Sequence, residues 1–452
     1  MVSGEPGFNV TSNPPVILRR IFEQTRSLQG ELAWIIVGQA LGFIAGFAGV
    51  KILTNQMGAA GYGQLALGLT IAGVIHLFIF GPLANVVSRY FAAYRERGDL
   101  SLYFPALRSI YGKLAVLLPL FSTLAAAIVY VKAGQFWAVI ILLSCLLGIA
   151  SGVNASFTSL QSAIRQRKVV ALHQGADSWL RITLAVLFVV FAGKNGGWAI
   201  LGYLGGTILV IISQRFFALR NKDIAANWNG SPSNSRERLN ECRREFRNYA
   251  LPFVFFAVFA TASMYGDRWV LQALNGESAV GIYAAIYQIA AAPVNIFFAM
   301  VNQLMVPIVF ERAADMSKEV NVTESATLLR VTVIFSSVSA LLIVIIAACF
   351  SEPLVRLITN AEFARYHNLL WVSVLGLSLF HIAQISTMKG LNYNQPRIYF
   401  WPKVAQAASF LVFGYLLAKP FPLVGVAYSV CFSSAIYLIA VLMVNRRLVS
   451  SL

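Results

Sequence analysis

Ile52-Leu-Thr-Asn-Gln-Met-Gly58-Ala-Ala-Gly-Tyr-Gly63-Gln-Leu-Ala-Leu67 decides the reading of this chain. A second glycine-bounded stretch, Gly276-Glu-Ser-Ala-Val-Gly281, follows 218 residues later. Each stretch lies between long apolar runs, and each opens the next hydrophobic segment. Sliding the chain by 218 pairs Leu53 with Leu271, Gly58 with Gly276, Gly63 with Gly281 and Ala66 with Ala284. Ile71, Ala72 and Phe80 also find identical partners. Apolar sequence matches itself by chance, so these identities suggest a repeat without establishing one. A true repeat would mean two similar membrane lobes facing each other, the architecture of an alternating-access transporter.

Working outward, the chain is 58% hydrophobic and only 12% charged over 452 residues, with a mean hydropathy of +0.70. A soluble domain carries roughly 25% charged residues, so this is a polytopic all-α membrane protein. A spanning helix needs about 20 mostly apolar residues. Twelve such segments are expected, near 32–52, 65–88, 114–131, 136–160, 174–192, 198–217, 250–274, 280–309, 329–350, 366–388, 400–418 and 421–444. Pro82, Pro119 and Pro293 fall inside spans, where a bend is tolerated if neighbours satisfy the freed carbonyl.

Charge sets the expected orientation. With both termini cytoplasmic, 27 of the 35 Lys and Arg fall in or beside cytoplasmic segments. Lys51, Lys132, Lys194, Arg356, Arg365 and Lys419 lie near the opposite face, and Arg181 and Arg268 lie inside spans. That asymmetry follows the positive-inside rule. It accounts for most of the +17 net charge through topology and anionic lipid, with no need for nucleic acid. The expected organisation is a cytoplasmic segment 1–31, a first six-helix lobe 32–217, a basic cytoplasmic linker 218–249, a second six-helix lobe 250–445 and a tail 446–452. The linker is turn-rich from Asn227 to Ser235 and ends in a basic helix suited to a membrane surface. Six helices per lobe make the two lobes a parallel repeat about an axis along the membrane normal.

Several chemistries lack their motifs. There is no G-x-x-x-x-G-K-[ST] phosphate loop, and Gly61-Tyr-Gly63 lacks the third glycine of a dinucleotide fingerprint. No H-E-x-x-H occurs, and the four cysteines are scattered without a C-x-x-C pair. No cofactor, metal site or catalytic residue is expected, and the chain does not read as an enzyme.

The stretch Ile52 to Leu67 resembles the first-hairpin signature of Wzx-type polysaccharide flippases. Asp267-Arg-Trp-Val-Leu, followed by Gly276 and Val280-Gly-Ile-Tyr-Ala-Ala285, is similar to the seventh-helix pattern of the same family. Met57 replaces the usual leucine before the first glycine, a conservative departure. The two signatures and the twelve-helix layout cover the whole chain. They point to the polysaccharide transporter branch of the multidrug/oligosaccharidyl-lipid/polysaccharide exporter superfamily. The resemblance implies movement of a polyprenyl-pyrophosphate-linked oligosaccharide across the bacterial inner membrane, for O-antigen, capsule or exopolysaccharide. It implies membrane lipids as partners, together with a polysaccharide polymerase and a chain-length regulator.

Moving an anionic, sugar-bearing head across hydrocarbon calls for a wet cavity carrying cations. Arg268 is the leading cavity cation. Arg181 is either a pyrophosphate contact, an arginine snorkelling to the interface, or the partner of Asp177 four residues earlier. Asp267 is a proton-coupling site or the fixed partner of a cation such as Lys51 or Arg181. Neighbouring helix residues do not face each other, so Asp267 and Arg268 are expected to point apart. Arg89 and Lys51 are interfacial anchors or line a cavity mouth. Asn295, Asn302 and Gln303 contact sugar hydroxyls or hold helices together. Gly58, Gly63, Gly276 and Gly281 are expected to serve as hinge and packing elements. A cation-coupled drug exporter of the same superfamily is the alternative, disfavoured because the first four spans contain no acid. A membrane glycosyltransferase or polymerase is a third reading, disfavoured by short outward loops.

Overall fold

The computed structural model describes residues 14–228, 236–312, 319–393 and 395–450. The expected N-terminal segment before Pro14, the turn-rich stretch 229–235 and the last two residues of the expected tail lie outside the described residues. Among the described residues the chain is helical with no strand. The long helices are α1 (Pro14–Ile75), α2 (Gly81–Glu96), α3 (Leu100–Ala163), α4 (Arg167–Phe191) and α5 (Gly196–Leu219). After the short α6 (Lys222–Trp228) come α7 (Arg236–Arg312), α8 (Glu319–Cys349), and the short α9 (Ser351–Ile358) and α10 (Ala361–Ala364). Then follow α11 (Leu369–Ser386), the short α12 (Met388–Asn392), α13 (Phe400–Ala418) and α14 (Pro422–Ser450).

Among the described residues, eight helical stretches are long and apolar enough to cross a membrane. Three of them exceed one crossing by far. A straight helix of the 64 residues of α3 would run about 96 Å, against roughly 30 Å of hydrocarbon. Each of the three is broken by one glycine: Gly58 in α1 (φ 65°), Gly134 in α3 (φ 84°) and Gly276 in α7 (φ 78°). Such backbone angles are strained for a residue with a Cβ. The glycine elbows therefore split each helix into two limbs of crossing length. Pro82 acts differently. It has no N–H to give and its ring crowds the preceding turn, and the helix widens into a π turn at His76–Phe80 just before it.

The elbows of α1 and α7 cross each other. A Cβ on Gly63 would collide with the carbonyl oxygen of Glu277, and a Cβ on Gly281 with that of Ala59. Ala59 and Glu277 are themselves 218 residues apart, so the same shift that relates the two sequences exchanges the two halves of this contact. Polar side chains fasten the crossing. The Gln64 amide donates to a Glu277 carboxylate oxygen at 3.0 Å and accepts from the Gly196 N–H at 2.9 Å. Trp269 Nε1 donates to Thr70 at 2.9 Å, and Lys51 Nζ to the Thr359 carbonyl at 2.6 Å.

The opposite, linker end is held by an aromatic core. Phe91, Tyr94, Tyr103 and Phe104 of α2 and α3 enclose Phe246 of α7 and Ile224 of α6. Tyr94 donates to Glu245 at 2.8 Å, Arg238 pairs with Asp99 at 3.1 Å and Arg95 with Asp223 at 2.8 Å. The basic stretch thus buries Leu239, Cys242 and Phe246 against α2 and α3 and turns its arginines outward.

The crossing predicts a sharp contrast between glycines. Gly63→Ala must displace backbone, so the cost falls at or beyond the upper end of the roughly 1–3 kcal/mol of ordinary overpacking. Gly112→Ala meets nothing within 4 Å and should be neutral or slightly stabilising. Membrane abundance and melting temperature in detergent check both; a wild-type-like Gly63→Ala would contradict the close crossing.

Candidate functional site

Arg268 lies on the first limb of α7, eight residues before the Gly276 elbow. Its guanidinium does not leave Asp267, as the helical spacing led us to expect, but folds back onto it. Nη1 donates to both Asp267 oxygens at 3.0 and 3.2 Å and to the Met264 carbonyl at 3.1 Å. Asp267 also accepts the Arg268 backbone N–H at 2.8 Å. Both side chains are nearly buried, 13% and 4% exposed, which explains the geometry. In a dry environment the long arginine stem bends to the nearest carboxylate, because an unpaired buried charge costs several kcal/mol. The guanidinium stacks over the Tyr287 ring at 4.9 Å.

This pair borders a cavity of about 270 Å³ built entirely from the second half of the chain: α7, α11, α13 and α14. Arg268, Tyr287, Asn295, His381, Gln406 and Ser433 line it. Asn295 and His381 meet across it, Oδ1 to Nε2, at 3.0 Å, with the imidazole stacked on Phe298 at 4.8 Å. Lys403 of α13 stands beside the same lining. Its Nζ lies 4.6 Å from the Phe380 ring and 4.2 Å from the Tyr437 ring, and donates to Gln406 at 3.5 Å. Sequence reasoning missed Lys403. It is the fourth residue of a predicted span and so counted as one more interfacial cation. The available signal was that a lysine so placed has no acid one turn away on either side.

The structure does not gather the other expected residues here. Arg181 belongs to the first half. Nε donates to Asp177 at 3.0 Å and Thr207 at 2.8 Å, and Nη2 to Ser151 at 3.2 Å. The i,i+4 pairing with Asp177 is the one available from sequence, and neither Lys51 nor Arg181 is the partner of Asp267. Arg89 stacks on Tyr249 of α7 at 5.1 Å, and Lys51 caps the last carbonyls of α9. Asn302 is half-buried on α7, away from the cavity lining, and the side chain of Gln303 lies outside the described residues. A second cavity, about 320 Å³, is almost wholly apolar and lies in the first half between α2, α3 and Trp228.

Residues 29–312 match the family described as "Polysaccharide biosynthesis protein". No curated protein sequence matches the chain. Among solved structures, a lipid II flippase MurJ in an inward closed conformation superposes with a TM-score of 0.67 at 14% identity, over 91% of this chain and 86% of that one. An inward-facing multidrug resistance MATE family transporter of the MOP superfamily gives 0.65 at 13% identity, over 92% and 95%. A MOP superfamily transporter from Pyrococcus furiosus gives 0.53 at 13%, over 93% of each chain. At these identities the likeness establishes a shared fold.

The buried pair makes a stability prediction. Asp267→Ala strands Arg268 without its counter-charge and should cost about 3–5 kcal/mol. Removing both charges with Asp267→Asn/Arg268→Gln should recover much of that loss. Melting of the two purified variants reads the difference; equal destabilisation by both would show that the pair is not compensated as drawn.

Proposed function

The chain belongs to the polysaccharide biosynthesis protein family and has the fold of MOP superfamily transporters, and on that premise we propose that it is a flippase for polyprenyl-pyrophosphate-linked oligosaccharide. The observation that carries this reading is the cavity of the second half. It sets Arg268 and several amides and hydroxyls into an apolar helical body, with Lys403 beside the lining on the Phe380 and Tyr437 rings, and the acid next to it, Asp267, is already paired with Arg268. A substrate with a phosphate-bearing head and sugar hydroxyls meets that chemistry. A cationic drug would instead face repulsion.

In this reading each glycine elbow divides a helix into two crossings. Counting those limbs separately and adding α13 gives twelve spans in two six-helix lobes. Both termini and the linker end face the cytoplasm of a bacterial inner membrane. The elbow end, where Gly63 meets Gly281, is the outward gate and is shut. The lobes rock about that crossing, so that substrate enters from the cytoplasmic side and leaves on the other. The product would pass to a polysaccharide polymerase and its chain-length regulator.

Deleting the protein should make lipid-linked repeat units accumulate on the cytoplasmic leaflet. Arg268→Ala should reproduce much of that defect, and because it strands Asp267 as a buried anion its protein level should fall as well, so flipping is compared per folded protein and against the charge-free Asp267→Asn/Arg268→Gln variant. Unchanged repeat-unit levels together with increased dye retention in the deletion strain would replace this reading with drug export.

A further inference from the structure

The two lobes treat their buried cations differently. α4 and α13 occupy similar places, each packed on the long helix that ends its half, α5 and α14 respectively. Each carries one cation turned into the protein. On α4, Arg181 has Asp177 four residues earlier and pairs with it at 2.9 Å. On α13, the residue four before Lys403 is Tyr399, whose hydroxyl is engaged with Asn445 at 2.5 Å and the Gly390 N–H at 2.9 Å. Among the described residues no carboxylate lies within salt-bridge distance of Lys403; its neighbours are two ring faces and the Gln406 amide. Ring faces and an amide oxygen hold an ammonium in place but leave its full charge uncompensated. Arg268 brings its own counter-charge, so the pair it forms with Asp267 adds little net charge to the cavity. His381, which meets the Phe380 ring in a T-shaped contact, contributes no negative charge either.

We propose that Lys403, with Gln406 and His381 beside it, is the primary contact for a phosphate-bearing group in the second-half cavity. The two paired arginines serve chiefly as structural cations. This deepens the flippase reading and rests on it for the identity of the phosphate: the head of a lipid-linked substrate rather than free phosphate. The geometry fits such a group. Lysine is a compact donor of three hydrogen bonds, and a phosphate oxygen displaces the weak 3.5 Å contact to Gln406 at little cost. The aromatic faces prevent the lysine from snorkelling away to lipid.

The test uses the full chain in detergent and three probes: farnesyl pyrophosphate, farnesol and inorganic pyrophosphate. Wild type should bind farnesyl pyrophosphate at least about ten-fold more tightly than farnesol, as expected for a charge-assisted contact. Lys403→Gln should lose most of that preference, Lys403→Arg should keep much of it, and the exposed Lys113→Gln should behave as wild type. Weak competition by inorganic pyrophosphate supports a lipid-linked head, whereas competition as strong as that of farnesyl pyrophosphate overturns the assignment to lipid. A folded Lys403→Gln protein that still prefers farnesyl pyrophosphate overturns the site. Should that variant not fold, acetylation of the wild-type protein answers the same question. Farnesyl pyrophosphate should shield Lys403 and not Lys113, and equal labelling of Lys403 with and without it overturns the proposal. Binding and transport fail separately. Lys403-dependent binding without repeat-unit accumulation in the deletion strain leaves the anion site and removes the flippase; the reverse leaves the flippase and removes this site.

Discussion

The crossing of Gly63 over Gly281 is the constraint on which the rest of the structure depends. Two backbones meet there with no room for a Cβ on either side. Without water or a strong hydrophobic drive between helices in lipid, association rests on close packing and on polar contacts. Small residues permit the first. Gln64, Glu277, Thr70 and Trp269 supply the second across the same seam, and Lys51 adds a contact from α1 to the end of α9. The contact repeats itself under a shift of 218 residues, so the pseudo-symmetry of the chain runs through this point. Elements at the linker end reach the same goal by another means, a cluster of interlocked aromatic rings around Phe246.

Symmetry at the crossing makes asymmetry elsewhere meaningful. Asp267 and Arg268 stand where the first half has Gly49 and Val50. The polar cavity beside them is formed by the second half alone. The first half is filled differently. Its fifth-segment arginine is locked by an acid, a threonine and a serine, and its own cavity is nearly all apolar. The second-half cavity therefore offers mainly polar groups, the first-half cavity mainly apolar surface. An amphipathic lipid with a polar head has use for both environments.

Much of this fold was legible in the sequence because hydropathy and backbone chemistry are local. Long apolar runs, bounded by charge, mark the hydrophobic core of the long helices, although α1, α3 and α7 begin at Pro14, Leu100 and Arg236, well ahead of the expected spans. Gly58 and Gly276 announce breaks because a glycine between two apolar runs is the residue a sharp reversal requires. Gly134 was less visible, since Lys132 and Gly134 resemble any short interfacial turn. The site was harder. The spacing rule that i and i+1 residues diverge holds for short side chains on an exposed helix, whereas Arg268 is long, buried and one residue away from the carboxylate of Asp267, onto which it folds. Arg181 followed its rule, because Asp177 sits one turn back. That Arg268, Asn295 and His381 converge while Lys51 and Arg89 go elsewhere depends on which helices become neighbours, and no single segment records that.

Lys403 shows why charge counting and charge compensation are different quantities. The positive-inside rule counts cations by position along the chain and treats each one alike. Stability depends instead on what faces each cation after folding. A lysine at a span terminus that extends to water needs no partner, whereas the same lysine bent over two rings beside a cavity keeps its charge in a medium of low dielectric. Such an arrangement survives only if the local loss is small or if an occupant repays it. Phe380 and Tyr437 reduce the loss, and Gln406 reduces it further. None of them cancels the charge, and among the described residues the half that pairs Asp267 with Arg268 sets no carboxylate within salt-bridge distance here. The uncompensated charge is therefore where an anion brought into this cavity would gain most.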